Sequence, residues 1–200
     1  MTADQLKIRL GGIDDDVDDV ALAGACASAS KWIEAYCNRR RFGFNKPVTA
    51  SALVYQPNHA YRLPVDDIST TTDLVVKVDM GNDGTYETTW TLGTHFQLRP
   101  FDSFAASEPA SKIETLGGYT FPRAVRPSVE VTATWGWPAV PALVTEACYQ
   151  LAEETFKLKD APFGVAGVND FGVLRIGNQT MNRVQSMLSS LVVGGGVMVA

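Results

Sequence analysis

The feature that most constrains this chain is a change of hydrophobic period that happens twice. Before about residue 48 the apolar residues recur at helical spacing. After Pro141 that spacing returns. Between them lie short runs rich in Val, Thr and aromatics: "ASALVYQP", "AYRLPV", "DLVVKVD", "YETTWTLG", "HFQLRP", "KIETL" and "SVEVTATWGW". Turn residues separate these runs at close intervals, which predicts an antiparallel β-domain, a sandwich or a small barrel. "PFDSFAASEPAS" at 100–111 reads as its long loop. The expected class is α+β. Residues 1–47 and 136–200 form a small helical bundle core, and 48–135 form an inserted β-domain. The terminal helices must find each other, because each alone leaves an apolar face unburied.

The first helix is expected within "IDDDVDDVALAGACASASKWIEAYCNRRRF". Asp14, Asp15 and Asp16 can cap its start, where carboxylates suit the macrodipole. Leu22, Ala25, Cys26, Ala29, Ile33 and Tyr36 follow helical spacing, and most are small enough for a second helix to approach closely. Arg39, Arg40 and Arg41 stand at the far end, where positive charge is favourable. Charge complementarity along one helix explains both clusters. A sharper reading pairs Asp14, Asp15, Asp16, Asp18 and Asp19 with Arg39–Arg41, or with another basic patch, of a neighbouring copy.

The return to helix runs through "TWGWPAVPALVTEA". Pro138 has no amide donor and ends strand pairing, while Pro141 suits a first helical turn. Trp135 and Trp137 alternate on the strand, so they share a face and are expected to fill the junction between β-domain and helices. Val144, Ala147, Cys148, Leu151, Thr155 and Leu158 lie near one face of the next helix. A Gly-rich loop with one short strand, "VLRI", follows. The last helix, "MNRVQSMLSSLVV", turns Val184, Met187, Leu188 and Leu191 to its apolar side. "GGGVMVA" then makes a hinge and an apolar tip.

The composition, 46% hydrophobic and 20% charged over 200 residues, is that of an ordinary globular chain. A net charge of −5 argues against a nucleic-acid-wrapping surface or an anionic-membrane binder. The start "MTADQLKIRL" lacks the long apolar core of a secretory signal. No run approaches the roughly 18 apolar residues of a spanning helix. A soluble protein made inside the cell is expected. Cys26 and Cys37 share one helix about 16 Å apart, beyond the ~7 Å reach of a disulfide. With Cys148 they read as small core-filling thiols.

No catalytic set emerges. His59 and His95 lack companion ligands or nucleophiles, and the Asp66–Asp67 pair is of a kind common on surfaces. "VDMGNDGTYE" resembles a calcium loop through Asp79, Asp83 and Gly84. Gly81 and Trp90 occupy positions where that motif needs ligands, however. A hairpin whose Asn and Gly accept positive φ fits better. The alternative is a calcium- or carbohydrate-binding β-module, with Asp79 and Asp83 at its site. Otherwise no metal, cofactor or enzymatic activity is expected.

Three passages resemble the head-to-tail connector (adaptor) proteins of long-tailed bacteriophages, especially those of actinobacterial phages. They are "ASASKWIEAYCNRRRF", the β-segment with "VDMGNDGTYETTW" and "FQLRP", and "VTATWGWPAVPALVTEACYQLAEETFKLKDAPFGVAG". The resemblance spans roughly residues 15–190. It implies a virion neck protein, made in the host cytoplasm and not bound to membrane. Such proteins form a ring, typically a dodecamer, beneath the portal. The ring lengthens the DNA channel without reading sequence. It also offers a platform to a stopper, head-completion or tail-terminator protein. The family's C-terminal segment reaches toward the portal, which maps to Met181–Ala200. Within it, Met187, Leu188, Leu191, Val192, Val193, Val197, Met198 and Val199 become candidate portal or neighbour contacts. The Gly194–Gly196 hinge has no counterpart in the family pattern.

Overall fold

A computed structural model of the chain describes residues 2–12, 16–38, 43–44, 50–123, 125–157, 165–169, 172–175 and 178–193. The contacts divide the chain into two compact units, one of residues 42–140 and one of residues 1–41 with 141–200.

The named strands of the first unit all pair antiparallel. Its strands are β1 (Ser51–Tyr55), β2 (Arg62–Ile68), β3 (Val75–Val78), β4 (Thr88–Trp90), β5 (Phe96–Arg99), β6 (Ala110–Thr115) and β7 (Val129–Ala133). They form a four-stranded sheet, β1-β7-β3-β4, and a three-stranded sheet, β2-β6-β5. Neither sheet closes into a barrel. Alternation places Val129, Val131 and Ala133 inside and leaves Glu130 and Thr132 half-exposed. One buried cluster draws on both sheets, joining Leu63, Ile68, Val76, Val78, Phe96, Leu98 and Ile113 to Trp90, Phe121 and Trp135. Pro64 is accommodated because β2 is an edge strand, and the ladder shifts register between Pro64 and Ile68.

Trp135 is fully buried within this unit's own core. Its ring lies 6.2 Å from that of Tyr55, and its Nε1–H donates to the Ser51 carbonyl at 2.8 Å. Trp137, also buried, meets Phe44 at 5.5 Å. Regular pairing ends at Ala133, with an isolated bridge from Ile68 to Trp135, so the ladder stops before Pro138.

The second unit holds α1 (Ala3–Arg9), α2 (Asp19–Tyr36), α3 (Ala142–Lys157), the antiparallel pair β8 (Val165–Asn169) and β9 (Gly172–Arg175), and α4 (Asn178–Leu188), which runs into a 3₁₀ turn at Ser189–Leu191. The sequence reading missed α1, although Thr2 and Gln5 form a reciprocal capping box. It also expected one strand where β8 and β9 pair. Helix α2 starts at Asp19 with Asp18 as N-cap, later than the expected caps at Asp14–Asp16. Pro141 precedes α3 rather than opening it, and its carbonyl accepts the Thr145 amide at 3.1 Å.

Small residues let α2 and α3 approach. Ala25, Cys26 and Ala29 are buried on α2, and Ala147, Cys148 and Ala152 on α3. The Ser30 hydroxyl donates to the Cys26 carbonyl at 2.9 Å and lies 3.4 Å from Cys148 Sγ. All three cysteines are buried and free. Thr155, expected on the buried face, is exposed, while Ala152 is buried in its place.

Helix α1 is clasped to α3 by charge. Arg9 makes a two-pronged contact with Glu146, at 2.7 Å for each nitrogen, pairs with Glu153, and sits over the Tyr149 ring at 4.8 Å. The Arg9 bonds, helped by Gln150, pull the Glu146 carboxyl from 4.5 down to about 2. A lowered carboxylate stabilises the folded state fully above its ordinary value and loses that contribution as pH falls through the lower one. The window here is therefore pH 4.5 to about 2. Both side chains keep substantial exposure, so screening reduces the effect to about 1 kcal/mol. Urea titrations at pH 7 and pH 2 should show wild type losing about that much more than Glu146→Gln.

Candidate functional site

Three places in the fold gather groups that could meet a ligand or partner. The first is the β3–β4 connection. Strands β3 and β4 pair antiparallel, so the calcium-like stretch is a hairpin loop. Asn82 (φ 54°) and Gly84 (φ 96°) supply its left-handed positions. Asp79 is wholly buried; its Oδ1 accepts the Asp83 amide at 3.3 Å and its Oδ2 the Gly84 amide at 2.8 Å. Asp83 accepts the Thr85 amide at 2.7 Å, and that bond holds its carboxyl below the usual range. Carboxylate oxygens of Asp79, Asp83 and Glu87 lie within 4.8 Å of one another. A calcium ion takes about six to eight oxygens, and any cation would compete with the two amides that Asp79 already serves. The carboxylate's evident work is to tie the loop. Asp79→Ala should cost about 1–3 kcal/mol in urea unfolding by orphaning those amides, and Asp83→Ala, at an exposed position, much less.

The second is a groove of about 430 Å³ on the β2-β6-β5 sheet, lined by Arg62, Arg99, Pro100, Ser111, Lys112 and Glu114. Strand register builds it, setting Arg62 beside Glu114 and Gln97 opposite, with Pro64, Lys112 and Arg99 in the next row. Glu114 pairs with Arg99 at 2.7 Å and with Arg62 at 3.0 Å, and accepts from Gln97 at 3.1 Å. The Arg99 bond, above all, holds its carboxyl low. The Arg99 guanidinium also stacks 3.3 Å over the Phe101 ring. Lys112 makes no ion pair among the described residues. Three cations around one carboxylate leave a formal charge of +2 in an otherwise acidic chain. The sequence reading missed this site, because its residues come from three strands and only register unites them.

The third comprises the charged and apolar segments of the helical unit. Asp16 and Asp19 both pair with Lys7 of the same chain, Asp16 at 3.4 Å. Hydrogen bonding to Asp19 leads in raising the Lys7 ammonium above its ordinary value. The Asp16 side chain nevertheless stays 93% exposed. Asp14, Asp15 and Arg39–Arg41 lie outside the described residues.

In the C-terminal segment, Leu188 is fully buried with Val184 in the single subunit. Met187, Leu191 and Val192 are half-buried. Val193 is held in place, its amide donating to the Cys37 carbonyl at 3.1 Å and its carbonyl accepting from Asn38 at 3.0 Å. Val193 is thus tied to the end of α2 in its own subunit. Val197, Met198 and Val199 lie outside the described residues.

The histidines are structural. His59 Nδ1 accepts the Tyr61 amide at 3.1 Å, and His95 Nδ1 accepts that of Thr91 at 2.9 Å. Asp66 accepts the Tyr55 hydroxyl at 2.8 Å. No helix among the described residues is long and apolar enough to cross a membrane.

These two units define an α+β protein in which a helical unit is interrupted by a two-sheet antiparallel unit. A similar fold occurs in chains of gene transfer agent particles. A chain in the neck of an empty gene transfer agent (GTA) particle, computed with C6 symmetry, has a TM-score of 0.51 at 20% identity, over 98% of this chain and 92% of its own. A chain in the virion of a native GTA particle has a TM-score of 0.50 at 20% identity, over the same shares. No protein-family model and no curated protein matches the chain.

Proposed function

We propose that this chain is a structural, non-enzymatic head-to-tail adaptor of a phage-like virion. Copies of it form a ring in the neck, beneath the portal. The ring lengthens the DNA channel and presents a platform to a stopper, head-completion or tail-terminator protein. The observation that carries this reading is the end-to-end likeness of fold to a chain in a GTA neck. The three sequence passages that resemble phage connectors support it independently. The C6 symmetry of that neck accords with rings of six or twelve subunits. A closed ring needs heterologous contacts, each copy meeting the next head to tail. The strongly charged Asp14–Asp19 and Arg39–Arg41 segments are suited to such contacts. Met187, Leu191, Val192 and Val193, with Val197–Val199, remain the candidate surface toward the portal or a neighbour. A net charge of −5 suits a conduit through which DNA must slide, since a strongly basic lumen would grip phosphates.

Deleting the gene in a host that produces the particle tests the role. Filled heads and free tails should accumulate unjoined, and complementation should restore joining. Normally joined particles in the deletion strain would overturn the proposal.

A further inference from the structure

The groove on the β2-β6-β5 sheet and the tip of the β3–β4 hairpin, both in the β-unit, complement each other in charge and in apolar surface. In the groove, Arg99 donates its Nε–H to Glu114 at 2.7 Å, and Arg62 meets the same carboxylate through Nε at 3.0 Å. Glu114 thus orients both guanidinium groups, while their terminal nitrogens form no hydrogen bond among the described residues. Lys112, two residues before Glu114 on β6, has no ion pair among the described residues. Phe101, 64% exposed, lies under the Arg99 guanidinium and sets an apolar surface beside the cations. The hairpin tip carries the opposite charge and its own apolar companion. Asp83 and Glu87 are exposed, and oxygens of their carboxylates lie within 4.8 Å of each other and of Asp79. Arg126 meets this loop at the Asp83 backbone carbonyl, at 3.0 Å, and Glu87 has no ion pair among the described residues. Met80, at the same tip, is 58% exposed. Among the described residues, no bond joins tip and groove within one chain.

We propose that the β3–β4 hairpin tip of one copy docks in the Arg62–Arg99–Lys112 groove of a neighbouring copy. This rests on the ring reading above and names surfaces that join its subunits. Asp83 and Glu87 face Lys112 and the terminal nitrogens of Arg62 and Arg99, whose planar forks suit carboxylates. Met80 lies against Phe101, a favourable sulfur–aromatic contact. The tip is stiff before it docks, because the buried Asp79 carboxylate holds the Asp83 and Gly84 amides. Little further ordering then opposes association. A nucleic-acid backbone fits the groove less well. A duplex lays down one negative charge per about 1.7 Å and needs an extended cationic track, and Glu114 interrupts this one. Because tip and groove differ, the contact is heterologous and can propagate around a ring.

Charge exchange at two exposed residues tests it in the complemented deletion strain. Lys112→Glu and Glu87→Lys should each lower the yield of joined particles at least about tenfold, because like charges then meet at every subunit contact. Carrying both changes on one chain should restore joining. Circular dichroism and a thermal melt check that each variant folds as wild type does. Cysteine pairing reads the contact without reversing any charge, and so serves if a reversal fails to fold. Chains with Lys112→Cys alone and chains with Glu87→Cys alone, made together in particle-producing cells, should give oxidation-dependent mixed dimers, and neither variant by itself should. The native cysteines are buried, which keeps them from competing. Joining that survives both reversals, a double change that rescues nothing, or the absence of a mixed dimer overturns the inference. So would linkage by Lys112→Cys alone, which would set groove against groove, or groove variants that alter DNA binding while joining stays intact. If the deletion strain joins its particles normally, it is the adaptor reading that fails, and the mixed dimer still decides the contact.

Discussion

Trp135→Ala is expected to remove about 3–5 kcal/mol from the stability of the β-unit, the cost of emptying a large aromatic site in a packed core. Trp135 is fully buried and touches both sheets' shared cluster. Its indole N–H holds the Ser51 carbonyl of β1, and an isolated bridge ties it to Ile68 at the end of β2. Truncation therefore opens a cavity and removes the indole's bond to β1, while the backbone bridge to Ile68 stays. Urea unfolding followed by circular dichroism measures the loss. Hydrogen exchange localises it, with faster exchange expected in β1, β2 and β7 and little change in α3. Trp135→Phe should cost far less, since it keeps most of the ring and Ser51 is exposed enough for water to replace the lost donor. A nearly neutral Trp135→Ala would mean that the residue serves a surface instead.

Leu188→Ala should destabilise the helical unit by about 2–5 kcal/mol. Leu188 and Val184 are fully buried on α4, which packs against α3. Neighbouring Met187 is only half-buried, so Met187→Ala should cost clearly less. The comparison separates two ways in which the C-terminal segment could matter to assembly. If Leu188 is core, its loss weakens joining only in proportion to the unfolding seen in a melt. A folded, fully stable Leu188→Ala that still failed to join particles would return the residue to a partner surface.

These residues also show how far the sequence could be read. The seven β-runs were legible because Val, Thr and aromatic side chains alternate and turn residues bound them. Trp135 could be seen as structural, yet its destination could not. Alternation fixes the face of a strand, and only the pairing of sheets decides what that face meets. The drift from Thr155 to Ala152 on α3 has a similar cause. Spacing defines a stripe, but the neighbouring helix decides which side of it is covered. Short elements were the other loss. Helix α1 has one buried residue, Leu6, and is held by the Arg9 clasp to Glu146 and Glu153, 137 and 144 residues away, which no local pattern reports. The β8–β9 hairpin was hidden by glycines that read as loop. The cationic groove exists only through register, so Arg62, Arg99 and Lys112 looked unrelated along the chain. Family-like passages carried the functional expectation, and the likeness to a GTA neck chain at 20% identity is a likeness of fold.

The central claim is a location, and labelling tests it most directly. A small tag after Thr2, or an antibody to the chain, should decorate intact particles at the junction of head and tail when viewed by electron microscopy. Purified necks should show the density repeated around the channel axis. Label spread over the capsid surface, or confined to the far end of the tail, would contradict the account.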